Sequence, residues 1–342
     1  MNHQLERLQV VEFPPFEAAI QAGVKLVMTA HIALPAICGR DDIPSTLSKE
    51  VLEGILRKKL GYGGVIVSDA LDMKAIQQGA KLGMEAVRAA RAGCDLLLLS
   101  SEVDDHWQVY HYLYEATQEG WLDPSEVIDS AQRIYKLKEW LATQPAAPDL
   151  SVVGCARHLA VATEIAEKSV TLVRDHKQIL PLHIGDGQRI AVVIPKPVDL
   201  TPADTSAYVR PTLPQMLRKY YPYVDEFCVP HNPQDQDIAA VLEQIRESHA
   251  VVIGTINAFN QPGQAKLVQA VFKTNIPTII IALRMPYDLR EFPEVPTFLC
   301  TYSLMEPSML AVAQVLSGES KAQGKLPVTI PGMYPTGHRA SI

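Results

Sequence analysis

Asp69 closes the apolar run Val65-Ile-Val-Ser68. A strand that reads as an unbroken apolar run is buried on both faces, and α/β folds meet their ligands at the carboxyl ends of such strands. A carboxylate there is costly to bury without a partner or a task, so Asp69 suits nucleophilic or acid–base chemistry on a polar substrate. The blander alternatives are a cap for the next helix or a solvated loop acid. Asp72, three residues on, reads as a cap or as a hydrogen-bond acceptor supporting its neighbour. Two more strand ends carry polar groups: Met28-Thr-Ala-His31 and Ser100-Ser-Glu102. His31 either orients a substrate hydroxyl or is a satisfied core histidine. Met28 reads as part of a wall, and Glu102 as a helix cap.

Other chemistries lack their residues. His106, His111, His158, His176 and His183 have no metal-ligand spacing, so no metal is expected. No Gly-x-Gly-x-x-Gly follows a strand, no Walker loop occurs, and Gly83 belongs to no phosphate fingerprint, so no cofactor is expected either. With 31 basic against 38 acidic residues the formal charge is -7, and no run of Lys or Arg breaks that balance. Nucleic acid is therefore an unlikely partner. Cys38, Cys94, Cys155, Cys228 and Cys300 lie far apart, without a CxxC and odd in total, which suits reduced thiols in the cytoplasm. The N-terminus shows no signal-peptide h-region, and the apolar run Cys94–Leu99, broken by Asp95, is far below the roughly 20 residues of a membrane span.

The elements that must position these residues alternate. Strands are expected at Val24–His31, Val65–Ser68 and Asp95–Ser100. Helices are expected at Pro15–Ala22, from Ser48 as N-cap to Leu60, at Met73–Gln78, Met84–Ala92, Asp104–Gly120 and Pro124–Leu141. The stretch 143–156 is rich in Pro, Ala and polar residues and reads as a linker. Beyond it, strands at Val170–Arg174, Arg189–Ile194, Val224–Val229, Ala250–Thr255, Pro277–Leu283 and Thr297–Tyr302 alternate with helices near Arg157–Ser169, Thr212–Tyr220, Ile238–Ser248, Gln264–Thr274 and Pro307–Leu316. A short strand is expected in the tail from Gly324. This is an α/β chain whose first strands, apolar runs separated by helices, are expected to pair in parallel, and whose second part reads as a doubly wound three-layer sandwich.

These residues carry a resemblance. Gly23-Val-Lys-Leu-Val-Met-Thr-Ala-His31, Pro44-Ser-Thr-Leu-Ser48, and Leu56 to Met73 with Ser68-Asp69 at its centre are similar to the second half of the catalytic barrel of glycoside hydrolase family 3, in its bacterial β-N-acetylhexosaminidase branch. Glu85–Asp95 resembles the stretch leading into that barrel's last strand. Lys168–Arg174, Ile179–Leu182, Arg284-Met-Pro-Tyr-Asp-Leu289 and Gly324-Lys-Leu-Pro-Val328 resemble its second domain. The resemblance implies the C-terminal part of a (β/α)8 TIM-type barrel over 1–142, a linker over 143–156 and an α/β/α sandwich over 157–342. It implies a small β-linked carbohydrate as substrate, with Asp69 as the nucleophile of a retaining mechanism and Met28 and His31 bordering the sugar.

The family's acid/base, a His held by an Asp on a loop, has no counterpart here, nor do its earlier sugar-binding Arg and Asp. Residues 1–142 are far fewer than the about 250 a full barrel needs. Three explanations are open: a truncated reading frame, a separate chain supplying the missing barrel half, or a degenerate relative. The expectation is little or no hydrolysis by this polypeptide alone. The competing functional readings are a non-catalytic carbohydrate-binding protein and a β-glucosidase or β-xylosidase specificity.

Overall fold

The computed structural model describes residues 3–73, 76, 81–99, 103–201 and 204–340. The chain divides into two compact units, Met1–Ala147 and Pro148–Ile342. No helix among the described residues is long and apolar enough to cross a membrane.

In the first unit, β1 (Leu26–Met28) and β2 (Val65–Val67) pair in parallel, Leu26 opposite Val65 and Met28 opposite Val67. β2 is the buried member: Val65 and Ile66 are almost fully enclosed, and Ile66 packs with Leu52, Leu56, Leu71, Ala86, Ala89 and Cys94. β1 has no strand on its other side among the described residues, and its Leu26 and Met28 stand 41 % and 53 % exposed. The expected third strand, Asp95–Ser100, is reduced to one parallel bridge, Val67 with Leu96. The Ser68 hydroxyl accepts the Leu98 N–H at 2.9 Å, a bond that takes the place of continued backbone pairing. The helix Leu82–Ala92 turns Ala86, Ala89 and Ala92 inward and ends at Gly93, whose φ of +112° a side chain would strain. The helix Pro124–Ala142 starts as its sequence requires: Asp123 accepts the Ser125 N–H at 2.8 Å, and Pro124 occupies the first turn.

Helical expectations hold elsewhere within a few residues, at Phe13–Gln21, Glu50–Lys59 and Val103–Gln118. The second of these has wide turns, Leu60 N–H reaching Ile55, and the Ser48 hydroxyl accepts the Val51 N–H at its start. The helical piece expected at Met73–Gln78, and the end Ser100-Ser-Glu102, fall largely or wholly outside the described residues.

The second unit is built on six strands: β3 (Thr171–Asp175), β4 (Ile190–Pro195), β5 (Val224–Val229), β6 (Ala250–Thr255), β7 (Thr278–Ala282) and β8 (Thr297–Cys300). Their order is β3-β8-β7-β6-β4-β5. All neighbours run parallel except β3 with β8, which are antiparallel. β4, β6 and β7 are buried along their whole length, as apolar runs covered on both faces must be. Alternate residues feed two apolar clusters. Ile190, Val192 and Val252 pack with Leu213, Leu217 and Met309, whereas Ala191, Val193 and Val251 pack with Ile238, Leu267 and Val268. β5 lies at an edge and only its end residues Val224 and Val229 are buried; its Asp225 pairs bidentately with Arg189 at 2.6–2.7 Å. The strand expected in the tail is only a bridge between Ile330 and Tyr334.

Candidate functional site

Asp69 stands one residue beyond the buried Ser68, at the carboxyl end of β2, and is half-buried. Its Oδ1 accepts the N–H of Ala70 at 2.8 Å. Its Oδ2 makes no hydrogen bond to any described residue. One carboxylate oxygen is thus held in place and the other is bonded to no described residue, an arrangement that suits a nucleophile.

His31 comes from the loop after β1, brought alongside by the pairing of Met28 with Val67 and by the bond from Thr29 N–H to the Val67 carbonyl at 2.8 Å. Its Nε2 donates to the Ala70 carbonyl at 2.9 Å, and its Nδ1 lies 2.9 Å from the Thr46 hydroxyl. A carbonyl only accepts, so in the neutral ring Nε2 carries the proton and Nδ1 accepts from Thr46. Thr46 is spent as a donor and therefore accepts from Thr29, 2.7 Å away. The chain Thr29 to Thr46 to His31 ends on the carbonyl of Ala70, the residue whose N–H holds Asp69. Both threonines are buried, so the relay is fixed from inside. Both ring nitrogens of His31 are occupied, and its contact with the segment after Asp69 is the Ala70 carbonyl. Met28 is on the opposite terms, bare at the end of β1.

Below the site, Asp95 holds β2 in place. Its side chain is fully buried and receives five bonds: Arg57 Nη2 at 2.6 Å, the Ile66 N–H at 2.8 Å, Ser130 Oγ at 2.7 Å, and Arg133 Nε and Nη2 at 2.9 and 2.8 Å. Arg57 also donates to the carbonyls of Tyr62 and Gly64. The neighbouring Cys94 thiol is pushed up to about 12, chiefly by burial and secondly by the Asp95 charge. The sequence reading took Asp95 only as the first residue of an expected strand and gave it no role. The signal for it was a lone acid heading an apolar run.

Among the described residues no three His, Cys, Asp or Glu side chains converge as a metal set. In the second unit the motif Arg284-Met-Pro-Tyr-Asp288 follows β7. Asp288 is fully buried beneath Thr255, whose hydroxyl donates to it at 2.6 Å, and burial pushes its carboxyl up to about 6.

Comparison with known proteins matches residues 1–137 to the glycosyl hydrolase family 3 N-terminal domain and residues 170–336 to the corresponding C-terminal domain. A Cellulomonas fimi protein named beta-N-acetylglucosaminidase/beta-glucosidase is 26 % identical over 342 aligned residues, covering 92 % of this chain and 59 % of its own. Beta-hexosaminidase A of Pseudoalteromonas piscicida is 26 % identical over 380 aligned residues, covering 96 % of this chain and 62 % of its own. The solved family 3 beta-N-acetylglucosaminidase of Paenibacillus sp. str. FPU-7 superposes with a TM-score of 0.87 at 32 % identity, covering 96 % of this chain and 62 % of its own. The chain thus spans about three fifths of the length of the proteins it is similar to.

Proposed function

We propose a glycosidase function from one premise: this chain belongs to glycosyl hydrolase family 3. In this reading residues 1–142 are the C-terminal part of a (β/α)8 barrel, 143–156 a linker and 157–342 an α/β/α sandwich. The reaction is retaining hydrolysis of a β-linked N-acetylhexosaminide. The observation that carries it is the Asp69 carboxylate at a buried strand end, with Oδ1 tied to Ala70 N–H and Oδ2 bonded to no described residue.

Oδ2 attacks the anomeric carbon as the bond to the aglycone oxygen breaks, and that oxygen leaves with a proton. The glycosyl ester on Asp69 is then cleaved by water, which restores the carboxylate and yields the sugar with its anomeric configuration retained. Ala70 N–H steadies the carboxylate, and His31, bordering the sugar, keeps Ala70 from turning away. Met28 forms an apolar wall of the sugar site. The proton on the departing oxygen comes from a group outside residues 1–142. The bare edge of β1 is where further barrel strands pair, on a separate chain in one form of this reading. The five free thiols fit a reducing, cytoplasmic setting. A β-glucosidase specificity is the second reading, favoured by the double name of the Cellulomonas fimi relative.

A fluorinated glycosyl fluoride of N-acetylglucosamine tests the nucleophile by itself, because fluoride departs without a proton donor. The expected product is the Asp69-containing peptide heavier by one glycosyl unit, absent from Asp69→Ala. An adduct on another side chain, or one that persists in Asp69→Ala, overturns the assignment. Labelling by the glucosyl reagent alone favours the second reading.

A further inference from the structure

Parallel strands exchange evenly spaced bonds, a residue's N–H and C=O reaching the two residues that flank its opposite number. Val67 lies opposite Leu96, and the pairing there is regular. Leu96 N–H reaches the Ile66 carbonyl at 3.0 Å, and Ser68 N–H reaches the Leu96 carbonyl at 2.9 Å. Continuing the same ladder would bring the Leu98 N–H to the Ser68 carbonyl and the Ala70 N–H to the Leu98 carbonyl. Neither bond is made. The Leu98 N–H goes to the Ser68 hydroxyl at 2.9 Å, and the Leu98 carbonyl receives the Leu71 N–H at 3.0 Å.

The register thus slips by one residue between Ser68 and Leu71, and the backbone bends at Asp69, inside that slip. A bulge of this kind ends the pairing locally and re-aims a side chain. It also releases two backbone groups. The Ser68 carbonyl accepts from no described residue, so the peptide between Ser68 and Asp69 turns independently of the sheet. The Ala70 N–H, not engaged by Leu98, holds Asp69 Oδ1 at 2.8 Å. Both releases depend on the Leu98 N–H having another acceptor, and the fully buried Ser68 side chain supplies it. An alanine at this position supplies none. The Leu98 N–H would then fall back on the carbonyl of residue 68, and resumed pairing would draw the Ala70 N–H to Leu98 and away from Asp69.

On the reading of Asp69 as the nucleophile, on which this rests, we infer that Ser68 is a positioning residue for that reaction. Its hydroxyl stands in for its own carbonyl as acceptor of the Leu98 N–H. That exchange stops the strand pairing at the point where Asp69 is presented and leaves the Ala70 N–H to hold the carboxylate. Ser68 itself is enclosed and acts only through Asp69 and Ala70.

The test compares wild type, Ser68→Ala and Ser68→Thr in the full chain, with the fluorinated glycosyl fluoride of N-acetylglucosamine as probe. Tryptophan fluorescence in urea establishes that each protein is folded under the labelling conditions. Labelling of Asp69 is then followed by mass spectrometry over a range of reagent concentrations, which yields a maximal rate and a half-saturating concentration. A misplacement of about 1 Å costs roughly 100-fold, so the maximal rate of Ser68→Ala should fall by about 10- to 100-fold with the half-saturating concentration unchanged. Ser68→Thr keeps the acceptor and should label at close to the wild-type rate.

A merely structural Ser68 would lower the urea midpoint and leave the labelling rate of the folded protein as it was. That result overturns the inference, as does a folded Ser68→Thr as slow as Ser68→Ala. Should Ser68→Ala fail to fold, Ser68→Cys, of similar shape but with a weak acceptor, replaces it and should be slowed in the same sense. Failure of the underlying reading looks different. A wild type that takes no label at Asp69 overturns the nucleophile and this inference with it, whereas a labelled wild type matched by Ser68→Ala overturns this inference alone.

Discussion

Asn in place of Asp95 would test how β2, and with it Asp69, is held. Asp95→Asn keeps the volume but removes the charge and one acceptor. Five donors converge on this carboxylate, among them three guanidinium N–H groups and the Ile66 backbone. An amide retains a single acceptor oxygen and points two donors of its own at the arginines. Arg57, whose side chain is 11 % exposed, would then lie buried with only the Tyr62 and Gly64 carbonyls to answer its charge. Breaking a buried pair from one side costs about 3–5 kcal/mol, a large share of the about 5–15 kcal/mol that holds a domain together. All three tryptophans, Trp107, Trp121 and Trp140, belong to the first unit, so their fluorescence in urea follows that unit alone. With a slope of about 2 kcal/mol per molar, the midpoint should fall by about 1.5–2.5 M. A shift below about 0.5 M would refute the reasoning, because it would mean that the cluster's attraction no more than offsets its desolvation.

Three further outcomes follow from the same geometry. His31→Ala strands the Thr46 hydroxyl and the Ala70 carbonyl and should lower first-unit stability by about 1–3 kcal/mol, read by the same fluorescence; no change would mean that the relay is not formed in solution. Burial raises the Asp288 carboxyl from 3.8 to about 6, so the folded chain holds that proton more tightly than the unfolded one. The resulting stability is fully present below about pH 4 and is lost as pH rises through 6, for a total of about 3 kcal/mol. Wild type should therefore lose stability relative to Asp288→Asn across that window in urea melts followed by circular dichroism, and parallel profiles would contradict it. Iodoacetamide should modify the exposed Cys228 in the native protein and leave Cys94 and Cys300 unmodified, because burial encloses both thiols and pushes both well up; early carboxamidomethylation of either, seen by mass spectrometry, would count against the packing described.

Much of this molecule was legible in local pattern. β4, β6 and β7 are mostly Val, Ile and Ala because a strand covered on both faces admits little else, and their bounds come within two residues of the reading. Asp123-Pro-Ser-Glu126 announces a helix start through groups within three residues of one another, and Gly93 announces a helix end in the same way. Asp69 was singled out because an acid straight after an apolar run is a local contradiction. The third strand was misread for a related reason: Leu96 to Leu99 are apolar enough for a strand, but the Ser68 hydroxyl takes the Leu98 N–H that continued pairing would use.

Tertiary structure decided the rest. Neither the partners of His31 nor those of Asp95 are near them in the chain: Thr46 and Ala70 lie 15 and 39 positions from His31, and Arg57 and Arg133 each lie 38 from Asp95. Lys196, His231 and Gln264 follow three different strands, and only the order of those strands in the sheet brings them into hydrogen-bond contact. Hydrophobic periodicity reports which face of an element is buried. Hydrogen bonding between side chains depends on which elements become neighbours, and a single strand carries no record of that.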